Sequence, residues 1–489
     1  MTQTEADTER GLDRVSTGID GLDRVTRGGL IAERSYVVGG PAGSGKTLLA
    51  LSFLDGADDD ETTLLVNLEE DPADMVANAQ AVGIAAESFE ICDISPTAAV
   101  FSQDGTYDVF EPDEVESETF RDTVREAVEE TDPDRVVVDP ITQLQYLTPD
   151  VYQFRQQTLG LARYLTDRGA TAVFTAQNTE SAPIDDLQFV TDGLIALDPT
   201  GPVDTVSVPK FRGSGTADGE HAYRIDTDGV AVYPALSPQE APDRSAGLET
   251  VSSGVPELDG LLGGGVERGT VTILSGPTGA GKTTLATQFA AAAAERGEHA
   301  VLYLFEERAE SFRQRSEAVG IPVAEMEAAG RLEVHELEPL AYPPQEFATR
   351  VRTAVEDRGA EFVGIDGVSG YRVTLQGREE QLGSRLHALC RYLNGADVTT
   401  FLTDETHGVV GEFTGTGEDV SYLADTILFV RYLELDGEIR RAAGVLKKRT
   451  GDFERALRRF EIGADGVTLG EPLTGLHGIL SGTPRTTGE

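Results

Sequence analysis

The sequence predicts an α/β protein made of two tandem domains of one type, each a mainly parallel sheet flanked by helices and followed by a β-hairpin region. Three observations support this prediction. A chain of 489 residues is longer than one hydrophobic core usually serves. The segment 17–47 recurs as 253–283, and its matched residues keep a constant offset of 236, as in 282 − 46. Within each repeat, short apolar runs alternate with helical patterns, which is typical of parallel sheets with crossover helices.

The two repeats set the predicted domain boundaries. We expect an N-terminal domain over residues 1–236 and a C-terminal domain, with its tail, over residues 250–489. The stretch between them, residues 237–249, is rich in proline, serine, alanine and acidic residues. This composition predicts a linker.

The secondary-structure elements follow from the apolar patterns. In the first repeat strands are predicted at 34–40, 62–70, 134–140 and 171–178, and in the second at 270–276, 300–307, 361–366 and 398–405. Helices are predicted between strands, for example at 119–130 and 344–359. Each repeat ends in hairpin-like segments, at 220–234 and 427–449, and Asp436-Gly437 in the second is a hairpin turn signal.

The charge of the chain is strongly negative. It has 85 acidic and 40 basic residues, a net charge of −45, and the acidic residues are spread along the sequence. Only five of the basic residues are lysines, and four of these fall in the motifs described below. An acidic, lysine-poor surface suits molar salt, where a Debye length of about 3 Å screens the repulsion between carboxylates. We therefore expect a halophilic protein, and the same charge makes nucleic-acid binding unfavourable.

Other features argue against membrane and disulfide-rich classes. The chain has no apolar run long enough to span a bilayer, and its first residues lack the basic and apolar regions of a secretion signal. Cys92 and Cys390 are its only cysteines, one in each half. They argue against a disulfide framework and are typical of a reducing compartment. A cytoplasmic location without a membrane partner is therefore expected.

Each repeat contains a phosphate loop of the pattern G-x-x-x-x-G-K-[ST]. The loops are GPAGSGKT at 40–47 and GPTGAGKT at 276–283, and each follows an apolar run and opens a helical pattern, as the motif requires. Glycines let main-chain N–H groups surround the β-phosphate at a helix N-terminus. The lysines are expected to bridge the β- and γ-phosphates of ATP, and the hydroxyls of Thr47 and Thr283 to ligate Mg²⁺. The predicted ATP-binding residues are Gly40, Gly43, Ser44, Gly45, Lys46 and Thr47, and Gly276, Gly279, Ala280, Gly281, Lys282, Thr283 and Thr284.

A pair of glutamates ends the second predicted strand of each repeat. The pairs are Glu69-Glu70 and Glu306-Glu307, at an offset of 237 (306 − 69). Adjacent side chains of a strand point to opposite faces, so one glutamate of each pair is expected to face the γ-phosphate and activate the attacking water. An isolated pair in so acidic a chain would indicate only a solvated face. Its recurrence in register favours a catalytic role.

An aspartate ends a later apolar strand in each repeat. Asp139 and Asp366 resemble Walker B aspartates, which hold Mg²⁺ through its hydration shell. Their offset is 227 (366 − 139), ten less than that of the glutamates (237 − 227). We expect the extra residues of the first repeat to lie in an acidic loop at 110–120.

A basic cluster lies near the end of each repeat. Lys210 and Arg212 match Lys447 and Arg449 at an offset of 237 (447 − 210). A solvated strand end is the plainer interpretation. Because lysine is so rare here and the pairs recur in register, we favour contact with the γ-phosphate of a neighbouring subunit, in the manner of an arginine finger.

Over nearly its whole length the chain resembles the KaiC family of RecA-superfamily ATPases. The resemblance rests on a G-x-x-x-L-D-x-x-x-x-G-G lead-in, the phosphate loops, the glutamate pairs, the Walker B aspartates and the K-x-R clusters, and it is especially close at 423–449 and 478–489. It implies two RecA-like P-loop domains and a two-tiered homohexamer with ATP at the subunit interfaces. It also implies that Lys210, Arg212, Lys447 and Arg449 act in trans, that hydrolysis is slow, and that the second ring phosphorylates itself.

The resemblance also implies a phosphate acceptor. In KaiC proteins a Ser-Thr pair just before a late strand accepts phosphate. In the matching stretch at 419–427, Ser421 aligns with the serine and Tyr422 replaces the threonine. Pro140 and Gly367, which follow the Walker B aspartates, also replace the serine usual in the family. Ser421 is thus the expected acceptor.

These features predict an ATP-hydrolysing signalling or timing ATPase, with a serine/threonine autokinase in its C-terminal domain and regulatory proteins as partners. Two alternatives stay open. One is a DNA-repair or recombination ATPase, although the sequence has no helix–hairpin–helix-like module and no basic stripe with interleaved aromatic residues. The other is a sensor that binds ATP without catalysis, against which the intact glutamate pairs argue.

Overall fold

A computed structural model of the chain describes residues 12–95, 112–148, 150–178, 187–237, 249–376, 379–406, 420–435, 437–464, 466–474, 476–477 and 485–486. The chain divides into two compact units, residues 1–235 and 236–489. Each unit is built on one nine-stranded sheet with helices packed against it. The predicted α/β class is confirmed. In the ranges just given, no helix has the length and apolar character needed to cross a membrane.

The first unit contains eleven described strands and five described helices. The strands are β1 (Arg14–Val15), β2 (Leu30–Ile31), β3 (Ser35–Gly40), β4 (Thr63–Asn67), β5 (Glu90–Asp93), β6 (Arg135–Asp139), β7 (Thr171–Gln177), β8 (Gly193–Asp198), β9 (Thr205–Phe211), β10 (His221–Asp226) and β11 (Gly229–Tyr233). The helices are α1 (Asp20–Thr26), α2 (Lys46–Asp55), α3 (Pro72–Gln80), α4 (Pro112–Thr131) and α5 (Val151–Thr166), with 3-10 turns at Ala86–Ser88 and Ile141–Leu147.

The second unit follows a similar order, with two additional described helices and two additional short described strands. Its strands are β12 (Thr250–Val251), β13 (Val266–Glu267), β14 (Val271–Gly276), β15 (His299–Leu304), β16 (Leu332–Glu336), β17 (Ala360–Asp366), β18 (Thr399–Glu405), β19 (Thr426–Leu435), β20 (Glu438–Lys448), β21 (Arg458–Gly463), β22 (Gly466–Pro472), β23 (Leu476–His477) and β24 (Arg485–Thr486). Its helices are α6 (Pro256–Leu261), α7 (Lys282–Arg296), α8 (Ala309–Ala318), α9 (Val323–Ala328), α10 (Pro344–Glu356), α11 (Val368–Val373) and α12 (Leu382–Gly395), with a 3-10 turn at Glu379–Gln381.

Both sheets have the same topology. In the first, six neighbouring strands in the order β8-β3-β7-β6-β4-β5 run parallel, and β9, β10 and β11 extend it as an antiparallel meander. In the second, β19-β14-β18-β17-β15-β16 are parallel, and β20, β21 and β22 form the meander. The carboxyl ends of the parallel strands therefore share one edge, where open α/β sheets bind their ligands.

The central strands are buried on both faces. Tyr36 and Val38 belong to one hydrophobic cluster and Val37 to another on the opposite face. Ile273 and Leu274 divide between two clusters in the same way. This explains why the strands appear in the sequence as continuous apolar runs rather than as alternating patterns.

The predicted strands 62–70 and 300–307 were too long. β4 ends at Asn67 and β15 at Leu304, so both glutamate pairs lie in bends after the strand. In the first unit the Asn67 amide donates to the main-chain carbonyl of Glu70 at 2.6 Å, a side-chain bond that turns the chain away from the sheet. Strand alternation therefore does not decide which glutamate faces the site.

The acidic loop predicted at 110–120 is wrong from residue 112 onward. Helix α4 begins there, and its buried Phe120, Val124 and Val128 recur every four residues, which is a helical period. Several described strands, β5, β8, β9, β16 and β22 among them, were not predicted. Residues 110–111, most of the predicted linker (238–248), Asp436 and most of the tail (478–484 and 487–489) lie outside the described residues.

Candidate functional site

Each phosphate loop leaves the carboxyl end of a central strand and opens a helix. The loops connect β3 to α2 and β14 to α7. The residue before each helix is a glycine in the left-handed region, Gly45 with φ 86° and Gly281 with φ 109°. Only glycine takes this conformation without strain, and it turns the first N–H groups of the helix toward the loop, where they can bind phosphate.

The antiparallel meander closes over each loop. A methyl group placed on Gly45 would lie 2.1 Å from Cδ1 of Ile225, and one on Gly281 would lie 2.5 Å from Cδ1 of Ile462. Ile225 belongs to β10 and Ile462 to β21. A side chain at either glycine would therefore require the isoleucine of the meander to move.

The loop lysines are held inside their own loops. Nζ of Lys46 donates to the carbonyl of Pro41 at 2.8 Å, and Nζ of Lys282 donates to the carbonyls of Gly276 and Pro277 at 2.9 and 3.1 Å. Burial lowers the pKa of both lysines, and nearby carboxylates oppose that shift. Each ammonium is thus already placed at the loop before a phosphate arrives.

The loop threonines contact the predicted Walker B aspartates. Oγ1 of Thr47 donates to Asp139 at 2.9 Å, and Oγ1 of Thr283 lies 2.9 Å from both carboxylate oxygens of Asp366. Burial raises the pKa of Asp139 and of Asp366, while the threonine hydrogen bonds favour their charged forms. The structure therefore brings together the two groups that were predicted to hold Mg²⁺.

Each aspartate has a second hydroxyl donor that sequence reasoning missed. Thr175 donates to Asp139, and Thr403 donates to Asp366 at 2.8 Å. Both threonines lie two residues before the end of the strand beside the loop strand. In the first unit the two threonines contact different oxygens of the carboxylate, whereas in the second Thr283 lies near both oxygens of Asp366.

The donor set fits Mg²⁺ bound together with a nucleotide. Mg²⁺ prefers oxygen ligands and is usually held by one or two carboxylates together with substrate phosphates. A hydroxyl and one buried carboxylate meet this description in each unit. Across the part of the chain that the structure describes, no group of three His, Cys, Asp or Glu side chains could hold a metal alone.

In the second unit the two glutamates have different surroundings. A methyl group on Gly367, the residue after Asp366, would lie 2.8 Å from Cδ of Glu306, so Glu306 lies against the Walker B strand end. Burial raises the pKa of Glu306, and the charges of Asp366 and Glu405 raise it further. Glu307 instead pairs with Arg315 of α8 at 2.8 Å. Glu306 is therefore the member of the pair that faces the loop.

The first unit shows a similar preference. The charge of Glu69 acts on both Lys46 and Asp139, whereas Glu70 precedes α3 and is close enough to Asp74 to be affected by its charge. Burial raises the pKa of Glu70, and Asp139 and Glu69 add to the shift. Both members of this pair are near the aspartate, and Glu69 is the one that acts on the lysine.

The basic clusters do not reach their own loops. They lie at the amino ends of the strands that flank β3 and β14, where the main-chain N–H groups of Asp192 and Asp425 donate to Ser35 and Val271. β3 spans six residues, roughly 17–20 Å of strand, and separates this end from the phosphate loop. The same holds for β14, so these cations lie far from the phosphate loop of their own unit.

Each cluster contains the same arrangement, here named the lysine bracket. In the first unit Lys210 donates to the carbonyls of Gln188 and Thr191. In the second, Lys447 donates to the carbonyls of Ser421 and Ala424 at 3.1 and 2.7 Å. Arg212 lies 3.7 Å from Asp192, and Arg449 lies 3.1 Å from Asp425.

The predicted acceptor Ser421 belongs to the second lysine bracket. Its side chain is exposed, and its carbonyl receives the Lys447 bond. The neighbouring Tyr422 is half exposed, and its hydroxyl donates to the carbonyl of Gly383 at 2.9 Å. In the first unit Gln188 and Phe189 occupy the positions of Ser421 and Tyr422. The first unit therefore has no side-chain hydroxyl at either of these two positions.

A cavity beside the second phosphate loop was not predicted. It has a volume of about 610 Å³ and lies between β19, β20, β21 and β22. Its lining includes Tyr432, whose hydroxyl lies 3.4 Å from the carbonyl of Thr278, and Arg441, which lies 3.3 Å from that of Gly279. An aromatic ring and a guanidinium next to a phosphate loop suit a nucleoside. The signal was hidden because these residues lie more than 150 positions from the loop.

Comparison with known proteins agrees with this geometry. A family model described as "ATPase: KaiC" matches residues 15–237 and 251–474. The circadian clock oscillator protein KaiC of Parathermosynechococcus lividus is 27% identical over 97% of this chain and 88% of its own length. A protein of that name from Prochlorococcus marinus is 28% identical over 97% of the chain and 96% of its own length. KaiC 1 of Synechocystis sp. is 28% identical over 97% and 92%.

Proposed function

The chain belongs to the KaiC family of ATPases, and we propose that each of its phosphate loops binds ATP with Mg²⁺ and hydrolyses it at the junction between neighbouring copies in a ring. One observation carries this proposal. In each unit a lysine, a Thr–Asp pair and a glutamate meet at one end of the central strand, while a lysine bracket and an arginine lie at the other end.

Nucleotide binding needs little rearrangement of the loops. Lys46 and Lys282 would exchange the loop carbonyls that they now contact for the β- and γ-phosphates. The first N–H groups of α2 and α7 would donate to the phosphate oxygens. In the second unit the cavity beside Arg441 would take the base and ribose. Mg²⁺ would be held by Thr47 with Asp139 and by Thr283 with Asp366, and would neutralise charge on the phosphates.

Hydrolysis requires a base for the attacking water. Glu69 and Glu306 fit this role because each acts on the loop lysine and on the Walker B aspartate. The carboxylate accepts the water proton as the oxygen bonds to the γ-phosphorus and the bond to ADP breaks. Glu307 is engaged by Arg315 and would support the bend rather than accept the proton.

A ring of copies would complete each site. Lys210, Arg212, Lys447 and Arg449 lie too far from their own loops to serve them, so we assign them to the ATP of a neighbour. Exposed aromatic side chains lie beside these cations, with Phe189 at 60% and Tyr422 at 50% exposure. Such residues are typical of protein interfaces. A homohexamer, as the resemblance implies, is the assembly we propose.

We further propose that the second unit phosphorylates Ser421. The hydroxyl is exposed next to Lys447 and Arg449, so cations that reach a neighbour's γ-phosphate would also bring this acceptor to it. The Ser421 oxygen would bond to the γ-phosphorus, ADP would leave, and Glu306 of the subunit that holds the ATP would accept the hydroxyl proton. Gln188 has no hydroxyl at the matching position, so the first unit would hydrolyse ATP only.

The relatives named above are called circadian clock oscillator proteins, and we infer a signalling or timing role for this chain. Nucleotide state would bias the ring, and partner proteins would respond to it. With a net charge of −45, the protein would work best at high salt, where repulsion between its carboxylates is screened.

The first experiment measures ATP turnover in about 2 M KCl with MgCl₂, conditions that screen surface charge. Lys46→Met and Lys282→Met should each remove the activity of one site, and the double variant should lose all turnover and all nucleotide retention. Wild-type turnover in the double variant would contradict the proposal. Native mass at the same salt tests the hexamer, and a monomer that retains full activity would exclude sites shared between copies.

The second experiment separates the glutamates. In the Lys46→Met background, Glu306→Gln should lower the remaining turnover about 100-fold or more, whereas Glu307→Gln, the matched control, should have a much smaller effect. Equal losses would remove the assignment of Glu306 as the base. Phosphopeptide mapping after incubation with ATP should find phosphate on Ser421 and lose it in Ser421→Ala but not in Tyr422→Phe. An unmodified Ser421 would exclude the autokinase step.

A further inference from the structure

The two sites differ in charge at the strand end beside the phosphate loop, where the second unit has Asp404 and Glu405 and the first has Ala176 and Gln177. Glu405 is the last residue of β18 and lies in register with Gly276, the first residue of the second loop. Gln177 is the last residue of β7 and lies in register with Gly40. The same strand end therefore presents a carboxylate to one phosphate loop and a neutral amide to the other.

Glu405 contacts the loop directly. Oγ1 of Thr278, in the middle of the second loop, donates to a carboxylate oxygen of Glu405. Burial lowers the pKa of Lys282, and among the carboxylates that oppose this shift Glu405 has the largest effect, ahead of Glu306 and Asp366. The bond to Thr278 and the register with Gly276 thus place the Glu405 carboxylate at the phosphate loop that carries Lys282.

We propose that Glu405 competes with the γ-phosphate for Lys282 and for the loop, and so makes ATP binding at the second site weaker than at the first. This inference rests on the proposed function, since it requires both loops to bind ATP. Without nucleotide the carboxylate is satisfied by Thr278 and by the charge of Lys282. A γ-phosphate brings more negative charge to the same ammonium, and the repulsion between carboxylate and phosphate acts over a few ångströms in a partly buried site.

The competition is specific for the third phosphate. ADP leaves the γ-position empty, so its binding should respond far less to the charge at 405. In the first site the Gln177 amide carries no charge and can donate a hydrogen bond to a phosphate oxygen. The chain would therefore hold triphosphate firmly at the first site and exchange it more readily at the second.

A purely structural role makes a different prediction. If Glu405 only anchors Thr278, glutamine should replace it without effect, because its carbonyl oxygen accepts the same hydrogen bond at the same length. The Glu405→Gln substitution therefore distinguishes electrostatic repulsion of the γ-phosphate from simple anchoring of Thr278. The first unit supplies the reciprocal variant, Gln177→Glu.

The test uses the full chain in KCl-rich buffer and titrates Mg²⁺ with AMPPNP, a nonhydrolysable ATP analogue, or with ADP. Glu405→Gln is measured in the Lys46→Met background and Gln177→Glu in the Lys282→Met background, so that each titration reports one site. We expect Glu405→Gln to tighten AMPPNP binding about tenfold and Gln177→Glu to weaken it by a similar factor, with ADP affinity changed less than threefold in both. Thermal melting of each variant checks the fold.

The outcomes are distinguishable. Unchanged AMPPNP binding in both variants, or equal changes for AMPPNP and ADP, would overturn the role of Glu405. Failure of either parent background to bind any nucleotide would instead overturn the proposed function, on which the inference depends.

Discussion

Lys448 and Glu267 form an ion pair in the interior of the second unit. The ammonium lies 3.1 Å from the carboxylate, and the two side chains are 1% and 5% exposed. The ammonium also donates to the carbonyls of Leu262 and Gly265 at 2.5 and 3.0 Å. The matching positions of the first unit, 211 (448 − 237) and 31 (267 − 236), hold Phe211 and Ile31. At the same two positions of the shared fold, the second unit therefore has an ion pair and the first unit has apolar side chains.

Breaking this pair should destabilise the protein strongly. Lys448→Met leaves the Glu267 carboxylate buried without its partner, and we expect a loss of about 3–5 kcal/mol in the free energy of unfolding of the second unit. The double variant Lys448→Phe with Glu267→Ile copies the first unit and should recover most of that loss. Urea unfolding at constant KCl measures both. A double variant as unstable as the single would show that packing, not charge, limits this site.

A side chain at Gly281 should weaken nucleotide binding at the second site. Gly281→Ala places its methyl group 2.5 Å from Cδ1 of Ile462 and 3.0 Å from the Phe460 ring at a φ of 109°, so these side chains must move and the loop backbone is strained. Gly297→Ala, at the other end of the same helix, has φ 89° and meets no atom within 4 Å. It should cost only about 1 kcal/mol and leave binding intact. AMPPNP titration of both variants in the Lys46→Met background tests this difference.

Removal of a cluster arginine should impair activity without unfolding the subunit. We expect Arg449→Ala to lower turnover in the Lys46→Met background at least tenfold and to leave the melting temperature of the monomer nearly unchanged, because Arg449 is 51% exposed. Arg168→Ala removes an exposed pair with Glu129 and serves as the control. Full turnover in Arg449→Ala would indicate a merely solvated strand end.

Both cysteines should resist alkylation in the folded protein. Burial raises the pKa of Cys92 to about 11 and that of Cys390 to about 12. At pH 8 a thiol with a pKa near 11 is thiolate in only about one molecule in a thousand. Iodoacetamide followed by mass spectrometry should find no adduct before unfolding and two after it. Because folding raises both thiol pKa values, stability should decline as the pH rises above about 9.

Salt should stabilise the fold. The chain has 85 acidic and 40 basic residues. Repulsion between the carboxylates therefore destabilises the compact native state. Raising KCl from about 0.1 to 2 M shortens the Debye length from about 10 Å to below 3 Å. We expect the melting temperature to rise by about 10 °C or more. A melting temperature that does not change with salt would contradict the halophilic interpretation.

The sequence was sufficient for features whose spacing is local. The loops, their helices and the central strands follow from motifs within about ten residues. Because these motifs recur at a constant offset, they also predicted two units of the same fold. Thr403 and Glu405 escaped notice because the fold brings them to partners distant in sequence, Asp366 at 37 positions earlier and Thr278 at 127. Lys448 is similar, since its partner lies 181 positions away (448 − 267). The rarity of lysine therefore indicated that these positions are constrained. It did not show whether a given lysine is needed for the stability of the fold or for the chemistry of a site.

The glutamate pairs show a second limit. Their recurrence pointed to the correct region, yet strand alternation could not choose between the two members because both strands end earlier. The choice in the second unit depends on Arg315, which engages Glu307 from the following helix. Long-range contacts of this kind have no periodic signature in the sequence.

Each lysine bracket grips main-chain oxygens, which every amino acid supplies. A mutation at Gln188 or Ser421 can therefore exchange the side chain while the bracket and its arginine stay in place. After the duplication of an ancestral domain, such a position is free to gain or lose an alcohol in a single step. The side chains at these positions can therefore differ between the two halves of the chain while the main-chain contacts of the lysine bracket are kept.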